Sequence, residues 1–150
     1  MATVYFMIGI PGSGKSTYAN KFAEENNCNV HSSDAIRKEF FNDQQHLSDD
    51  KIVWRTLKER VKTDLLNGKD CIIDATNISV KKRRQYFEYL RGVSCKKVAL
   101  LMKTSFKESV NRNMKRPKEQ VVPYYSICNL QKAFQEPTLD EGFDEIIEIN

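Results

Sequence analysis

A short glycine-rich segment near the N-terminus has the residue types and spacing of a phosphate-binding loop. Gly9 to Ser16 fits the pattern G-x-x-x-x-G-K-[ST], in which backbone N–H groups surround phosphate oxygens at the start of a helix. Lys15 supplies a positive charge for the β- and γ-phosphates, and the Ser16 hydroxyl is a magnesium ligand in such loops. The alternative is an ordinary glycine turn between a strand and a helix. We predict that ATP or GTP contacts Gly12, Ser13, Gly14, Lys15, Ser16 and Thr17.

The carboxylate of Asp74 ends an apolar run, Cys71–Asp74, that predicts a buried strand. In enzymes with a phosphate loop, an acidic residue at a strand end helps to hold Mg²⁺ together with the loop hydroxyl. The alternative is that Asp74 only caps the following turn. We predict Ser16 and Asp74 as the protein ligands of a magnesium ion that accompanies ATP.

Asp34 and Arg37 lie three residues apart in a predicted helix, so their side chains share one face. A kinase needs a carboxylate that accepts the proton of an acceptor hydroxyl, and a cation that positions an anionic acceptor. We therefore predict Asp34 and Arg37 as catalytic and substrate-binding residues. The alternative is an Asp34 that only interacts with the helix dipole, beside a solvated Arg37.

Two arginines, Arg112 and Arg116, are predicted one helical turn apart, on the face opposite an apolar stripe of Phe106, Val110 and Met114. Arginines placed over a transferring phosphoryl group stabilise its developing charge. We predict that both contact the nucleotide as part of a helical lid, with Arg116 also catalytic. The alternative is an exposed basic helix face.

Short apolar segments alternate with amphipathic ones along the whole chain. This alternation predicts a mostly parallel sheet with helices on both faces, hence a three-layer α/β fold, and ligands beyond the carboxyl ends of the strands. The expected strands are Val4–Ile8, Asn29–Ser32, Cys71–Asp74, Lys97–Met102 and Phe143–Ile149.

Helical spacing of apolar residues predicts the helices between those strands. One follows the phosphate loop, one runs from Ala35 to Phe41, and one starts at Ser48-Asp49-Asp50 and buries a stripe that includes Trp54. A further helix covers Val80 to Leu90, and the last begins near Pro123. The buried positions expected in that last helix are Tyr124, Ile127, Leu130 and Phe134.

The composition is that of a globular protein. The chain has 150 residues and a formal net charge of +4, so we expect one domain over residues 1–150, no membrane association and a cytoplasmic location. The four cysteines are widely scattered, so we expect neither a zinc site nor a disulfide framework. The run Lys81-Lys82-Arg83-Arg84 points in four directions on a helix, which favours solvated surface over a nucleic-acid patch. His31 and His46 are assigned no role.

Several of these segments together resemble the P-loop 5′-hydroxyl polynucleotide kinases of phages and of the mammalian DNA-repair enzyme. They are the phosphate loop Ile8–Thr17, the Asp-x-x-Arg segment Ser33–Arg37, the segment Ile73–Asn77 and the lid segment Arg112–Arg116. Phe134–Phe143 is similar to the tail of the mammalian kinase domain. The resemblance implies a kinase-type P-loop fold, ATP with Mg²⁺, and a nucleic acid 5′-hydroxyl end of DNA or RNA as acceptor.

The same resemblance implies a role for each matched residue. Asp34 is expected to act as the base, Arg37 to hold the 3′-phosphate of the acceptor, and Lys15 with Arg116 to stabilise the phosphoryl group. Those relatives also carry a phosphatase domain, which is not expected here because the chain ends where the kinase domain would end. Two alternatives stay open: a small-molecule or nucleoside kinase, and a nucleotide-binding switch. The sequence indicates no oligomeric state.

Overall fold

A computed structural model describes residues 1–41 and 50–150 of the chain. The strands in this part are β1 (Ala2–Ile8), β2 (Asn29–Ser32), β3 (Cys71–Asp74), β4 (Cys95–Met102) and β5 (Glu145–Ile149). The helices are α1 (Lys15–Asn26), α2 (Ser33–Phe41), α3 (Asp50–Leu66), α4 (Val80–Tyr89), α5 (Phe106–Met114) and α6 (Tyr124–Ala133). Short 3-10 turns cover Lys118–Gln120 and Leu139–Glu141. The predicted helix start at Ser48 and Asp49, and His46, lie outside the described residues.

The five strands form one sheet in the order β2-β3-β1-β4-β5. Every neighbouring pair is parallel; Phe6 of β1, for example, lies opposite Ile73 of β3 and Ala99 of β4. Parallel strands bring their carboxyl ends to one edge of the sheet. The phosphate loop, the start of α2 and Asp74 therefore meet at that edge, as the strand assignments predicted.

Helices cover both faces of this sheet, which confirms the predicted three-layer α/β fold. On one face the apolar stripe of α3 packs with Tyr86 and Leu90 against β1. On the other, Ala19 and Ala23 of α1 pack against Met7 and its neighbours. β1 lies at the centre because its residues alternate between these two faces and both are apolar.

We call the segment from α5 to α6 the lid. Its apolar side chains pack in a separate cluster around Ile10, Ile78 and Ile127. The expectation that Tyr124 is buried is wrong, because its side chain is 56% exposed, and Met114 of the predicted apolar stripe is 60% exposed. On α5 the fully buried positions are instead Ser109 and Asn113. The reason is that α5 packs against the backbone of the phosphate loop, where small and polar side chains fit.

Arg83 corrects a second expectation, since it is fully buried and not solvated. Its guanidinium donates to both carboxylate oxygens of Glu141, with Nε–Oε1 at 2.7 Å and Nη2–Oε2 at 3.0 Å. It also donates to the carbonyls of Asn77 and Gln135. The bonds to Gln135 and Glu141 tie α4 to the segment that leads into β5, and all four satisfy a charge that would otherwise be costly to bury.

Candidate active site

The phosphate loop lies between β1 and α1 and is packed tightly under α5. Gly12 and Gly14 have φ angles of 85° and 91°, a region that side chains with a Cβ rarely adopt. A Cβ at Gly12 would also collide with the carbonyl oxygen of Ser109, and one at Gly14 would lie 2.9 Å from a guanidinium nitrogen of Arg112. Both glycines are therefore needed for the loop's own shape and for the approach of the lid.

The first turn of α1 is oriented as an anion site. Gly14 is its N-cap and contributes no side-chain hydrogen bond, so the N–H groups of the first turn remain open to an anion. A cavity of about 630 Å³ opens at this point, within the size range of ligand sites. The predicted residues that line it are Gly12, Gly14, Lys15, Ser16, Thr17, Arg112 and Arg116.

Ser13 departs from the predicted set. Its hydroxyl is buried without a hydrogen-bond partner in the described part of the chain, and it lines a separate cavity behind the loop. The backbone N–H of Ser13 donates to the carbonyl of Ile10 at 3.1 Å, and the Ser13 carbonyl accepts a bond from the Thr104 hydroxyl. The structure thus places Ser13 as a support of the loop and does not bring its side chain to the phosphate cavity.

Ser16 and Asp74, the predicted metal ligands, are adjacent. The Ser16 hydroxyl donates to Oδ2 of Asp74 at 2.8 Å. Asp74 is 5% exposed, and its other oxygen, Oδ1, has no hydrogen-bond partner among the described residues. Burial raises the pKa of this carboxyl, while the nearby Lys15 and the Ser16 bond act in the opposite direction.

This oxygen pair fits Mg²⁺, which prefers hard oxygen ligands. Among residues 1–41 and 50–150, His, Cys, Asp and Glu side chains do not gather in a group of three or more that could hold a metal. A magnesium ion at Ser16 and Asp74 would therefore complete its shell with water and substrate phosphates, which is how Mg²⁺ commonly binds in kinases.

Lys15 is a buried cation, 9% exposed. Burial lowers the pKa of its ammonium group, Asp74 and Asp34 raise it, and Arg116 lowers it again. Two cations, Lys15 and Arg116, thus lie close together at the carboxyl edge of the sheet. Phosphate oxygens would supply the negative charge that such a pair attracts.

A second cavity, of about 290 Å³, adjoins the first. The predicted residues that line it are Lys15, Asp34, Arg37, Asp74 and Arg116. Arg37 donates to Asp34 at 3.0 Å, as the spacing of three residues predicted; Arg37 is 10% and Asp34 52% exposed. Since Lys15 and Arg116 line both cavities, the two cavities meet at these cations.

The lid arginines are placed differently from the prediction. α5 ends at Met114, so Arg116 lies beyond the helix and not one helical turn from Arg112. Its guanidinium donates to the Gln120 carbonyl at 3.3 Å, whereas Arg112 pairs with Glu108. Buried Asn113 fixes the lid loop by two hydrogen bonds to the backbone of Val122.

Trp54 and Asn77 also lie at this edge, although neither was predicted as a site residue. Trp54, assigned to the core, is half-buried and lines the second cavity, with the Lys82 ammonium 4.3 Å from its ring centroid. Asn77 has a φ of 48° and donates to the Met7 carbonyl at 2.8 Å, so it joins the ends of β1 and β3. An asparagine just after a strand, where a left-handed residue is tolerated, is the signal that could have indicated this.

Residues 4–137 match the AAA_33 family, described as an AAA domain. The chain belongs to the AAA_33 family. Among solved structures, a chain of the Pnkp1/Rnl/Hen1 RNA repair complex is 25% identical to this AAA_33 protein, with a TM-score of 0.77. The match covers 88% of this chain and 45% of that one.

Two further solved structures share the fold of this AAA_33 protein at lower identity. A sugar kinase from Janibacter sp. HTCC2649 is 20% identical, with a TM-score of 0.71 over 99% of this chain and 86% of its own. Kti12 from Chaetomium thermophilum, in complex with ADP-AlF3, is 18% identical, with a TM-score of 0.74 over 97% and 88%.

This AAA_33 protein thus has a P-loop kinase-like fold, and its phosphate loop is of the kind that binds nucleotide phosphates. The fold does not determine the acceptor, because structures with it include a sugar kinase and part of an RNA repair complex. No helix within the described ranges is long and apolar enough to cross a bilayer.

Proposed function

We propose that this protein transfers the γ-phosphate of ATP, with Mg²⁺, to the 5′-hydroxyl end of DNA or RNA. The observation that carries the proposal is the shared boundary of the two cavities, formed by Lys15 and Arg116. A donor phosphate in the first cavity would lie against the same cations that face Asp34 and Arg37 in the second. Transfer between two bound substrates requires such a common boundary.

Asp34 is the proposed general base. Its carboxylate is half-exposed in the second cavity, where an acceptor hydroxyl can approach it. The acceptor oxygen would form the new bond to the γ-phosphorus as the bond to the oxygen of ADP breaks, and its proton would pass to Asp34. Lys15 and Arg116 would stabilise the charge on the phosphoryl oxygens during this transfer.

The phosphate loop and the Ser16–Asp74 pair would serve the donor. Gly12, Gly14 and Thr17 line the first cavity and would surround the phosphates, while Arg112 would cover them from the lid. Mg²⁺, when bound at Ser16 and Asp74, neutralises the charge of the β- and γ-phosphates. The structure of Kti12 in complex with ADP-AlF3 supports nucleotide binding by this fold.

The choice of a nucleic acid acceptor depends on Arg37. Its guanidinium is held by Asp34 and lines the acceptor cavity, so it can bind a phosphate beside the hydroxyl that is phosphorylated. A 5′-terminal nucleotide within a strand offers that arrangement, a 5′-hydroxyl with a 3′-phosphate. Support also comes from the 25% identical chain of the RNA repair complex.

A small-molecule kinase is the second candidate function. The sugar kinase from Janibacter matches nearly the whole of both chains, and an acceptor cavity of about 290 Å³ is at the small end for ligand sites. In that case Arg37 would bind an anionic group of a small acceptor.

Label transfer from γ-labelled ATP separates the two candidates. We expect label on 5′-hydroxyl oligonucleotides, none on the same oligonucleotides carrying a 5′-phosphate, and little on nucleosides, sugars or gluconate. Label on a sugar or gluconate, with none on any oligonucleotide, would replace the proposed function by the second candidate.

A further inference from the structure

Three lysine ammonium groups lie against aromatic rings along the boundary between α3 and α4. The distances to the ring centroids are 4.3 Å for Lys82–Trp54, 5.8 Å for Lys58–Tyr86 and 5.2 Å for Lys62–Tyr89. All three are within the ~6 Å range of cation–π contact. We call this group of three lysines and three rings the lysine seam.

The lysine seam is a regular line and not a scattered patch. Along α3 its members recur at every fourth position, 54, 58 and 62, and along α4 they stand at 82, 86 and 89, so each set occupies one helix face. Because the pairs advance together, the two helices run in the same direction. Eight residues of α3 at ~1.5 Å each give the seam a length of about 12 Å.

One end of the lysine seam opens into the proposed acceptor cavity. Trp54 lines that cavity together with Asp34 and Arg37, and it also contacts Lys82. The seam therefore continues from the acceptor site along the surface between α3 and α4.

The two seam lysines of α3 carry charges that no carboxylate of the described ranges neutralises. Lys82 is exposed, and Lys58 and Lys62 are half-buried. Within the described ranges neither Lys58 nor Lys62 forms an ion pair with a carboxylate. By contrast, Arg60 on the same helix is neutralised by Glu39 at 2.8 Å.

We propose that the lysine seam binds the backbone of the single strand whose 5′ end occupies the acceptor cavity; this inference rests on the proposed function. Phosphates of one strand recur about every 3.4 Å of axis in a stacked helix and farther apart in an extended strand. A seam of about 12 Å thus spans roughly two to four phosphates. The strand runs 3′-ward from Arg37 past Lys82 and Lys58 to Lys62.

The test compares a long and a minimal acceptor in the full chain. The triple variant Lys58→Gln, Lys62→Gln, Lys82→Gln is measured against a control with the same charge change at exposed positions elsewhere, Lys69→Gln, Lys96→Gln, Lys132→Gln. The acceptors are a 5′-hydroxyl octanucleotide and a nucleoside 3′-monophosphate. A double variant, Lys58→Gln with Lys62→Gln, leaves the Lys82–Trp54 contact in place in case the triple variant folds poorly.

We expect the seam variants to raise KM for the octanucleotide about tenfold, since three weak contacts of this kind together give roughly one order of magnitude. KM for the mononucleotide should change less than twofold, and the control should match the wild type. The salt slope of octanucleotide binding should fall by about 2, from ~0.7 per lost phosphate contact. Suppose that the wild type labels the octanucleotide and that the seam variants have the wild-type ratio of KM for the octanucleotide to KM for the mononucleotide. Strand binding by the seam is then wrong, while the proposed function stands. If the wild type labels no nucleic acid, both are overturned.

Discussion

Two carboxylate–guanidinium pairs in this protein differ in almost everything except their chemistry. Asp34–Arg37 joins residues three apart on α2, and its carboxylate is 52% exposed. Arg83–Glu141 joins residues 58 apart in the sequence, and its two side chains are 0% and 7% exposed. The first pair lines a cavity beside the phosphate loop, while the second lies between α4 and the turn before β5.

The difference indicates which pair can take part in a reaction and which can only hold the fold. In the first pair the Arg37 guanidinium is buried but the Asp34 carboxylate is half-exposed, so this carboxylate is accessible to an incoming substrate. A buried pair cannot lose one partner without leaving an uncompensated charge. Each of the following experiments tests one side of this contrast.

The largest effect is expected for Asp34→Asn. The amide keeps the shape of the side chain and can still accept a bond from Arg37, but it cannot take a proton. We expect kcat to fall by roughly 10²–10⁴, with the free energy of unfolding lowered by no more than ~1.5 kcal/mol, because the amide oxygen can still accept the bond from Arg37. Steady-state phosphotransfer, ATP titration and urea unfolding measure the three quantities.

The outcome for Asp34→Asn also separates the kinase from a nucleotide-binding switch. Loss of phosphotransfer with unchanged ATP affinity supports Asp34 as the base. A variant that retains wild-type kcat would show that Asp34 takes no part in the reaction.

Arg83→Leu should produce the opposite pattern. It leaves Glu141 buried without its guanidinium, which costs about 3–5 kcal/mol, so we expect a large loss of unfolding free energy. At a temperature where the variant is still folded, kcat should remain near the wild-type value. Replacing Glu141 by Leu in the same chain removes the stranded charge and should restore part of the stability. A variant as stable as the wild type would contradict the structural role of the buried pair.

Local spacing explains why the sequence predicted much of this site. The phosphate loop is defined by residues within eight positions, and the Asp34–Arg37 contact by one helical turn. The alternation of strands and helices then brings Asp74 to the same edge. Four of the five predicted strands overlap closely with the observed ones, while β5 begins at Glu145 because the side chain and backbone of Asp144 bond Lys97.

The remaining features depend on contacts that no local pattern contains. Arg83 is buried because Glu141, far along the chain, folds over it. Arg116 reaches both cavities because α5 stops at Met114 and Asn113 holds the lid loop. Ser13 turns away from the cradle because Thr104 and Ile10 bind its backbone. Each requires the folded arrangement of segments that are distant in sequence.

The Asp74 carboxylate is buried like that of Glu141 but lines the candidate site like that of Asp34. The smallest expected effect is its contribution to the pH dependence of stability. Burial raises the pKa of this carboxyl above its ordinary value of 3.8. The native state therefore binds its proton more tightly than the unfolded state, and stability falls as pH rises through the native pKa. Asp74→Asn has no titrating carboxyl at this position and therefore lacks this pH-dependent loss of stability. Without Mg²⁺, the unfolding free energy of the variant minus that of the wild type should thus increase from about pH 4 to about pH 7. Parallel profiles in urea unfolding would show that Asp74 carries no such penalty.

The proposed reaction can be tested by a structure with ADP, an AlF3-type phosphoryl mimic, Mg²⁺ and a 5′-hydroxyl dinucleotide bound. We predict that the 5′-oxygen lies within hydrogen-bond reach of Asp34, about 2.6–3.2 Å, with the mimic between Lys15 and Arg116 and the 3′-phosphate on Arg37. A 5′-oxygen outside that reach, with the dinucleotide bound away from the second cavity, would contradict it.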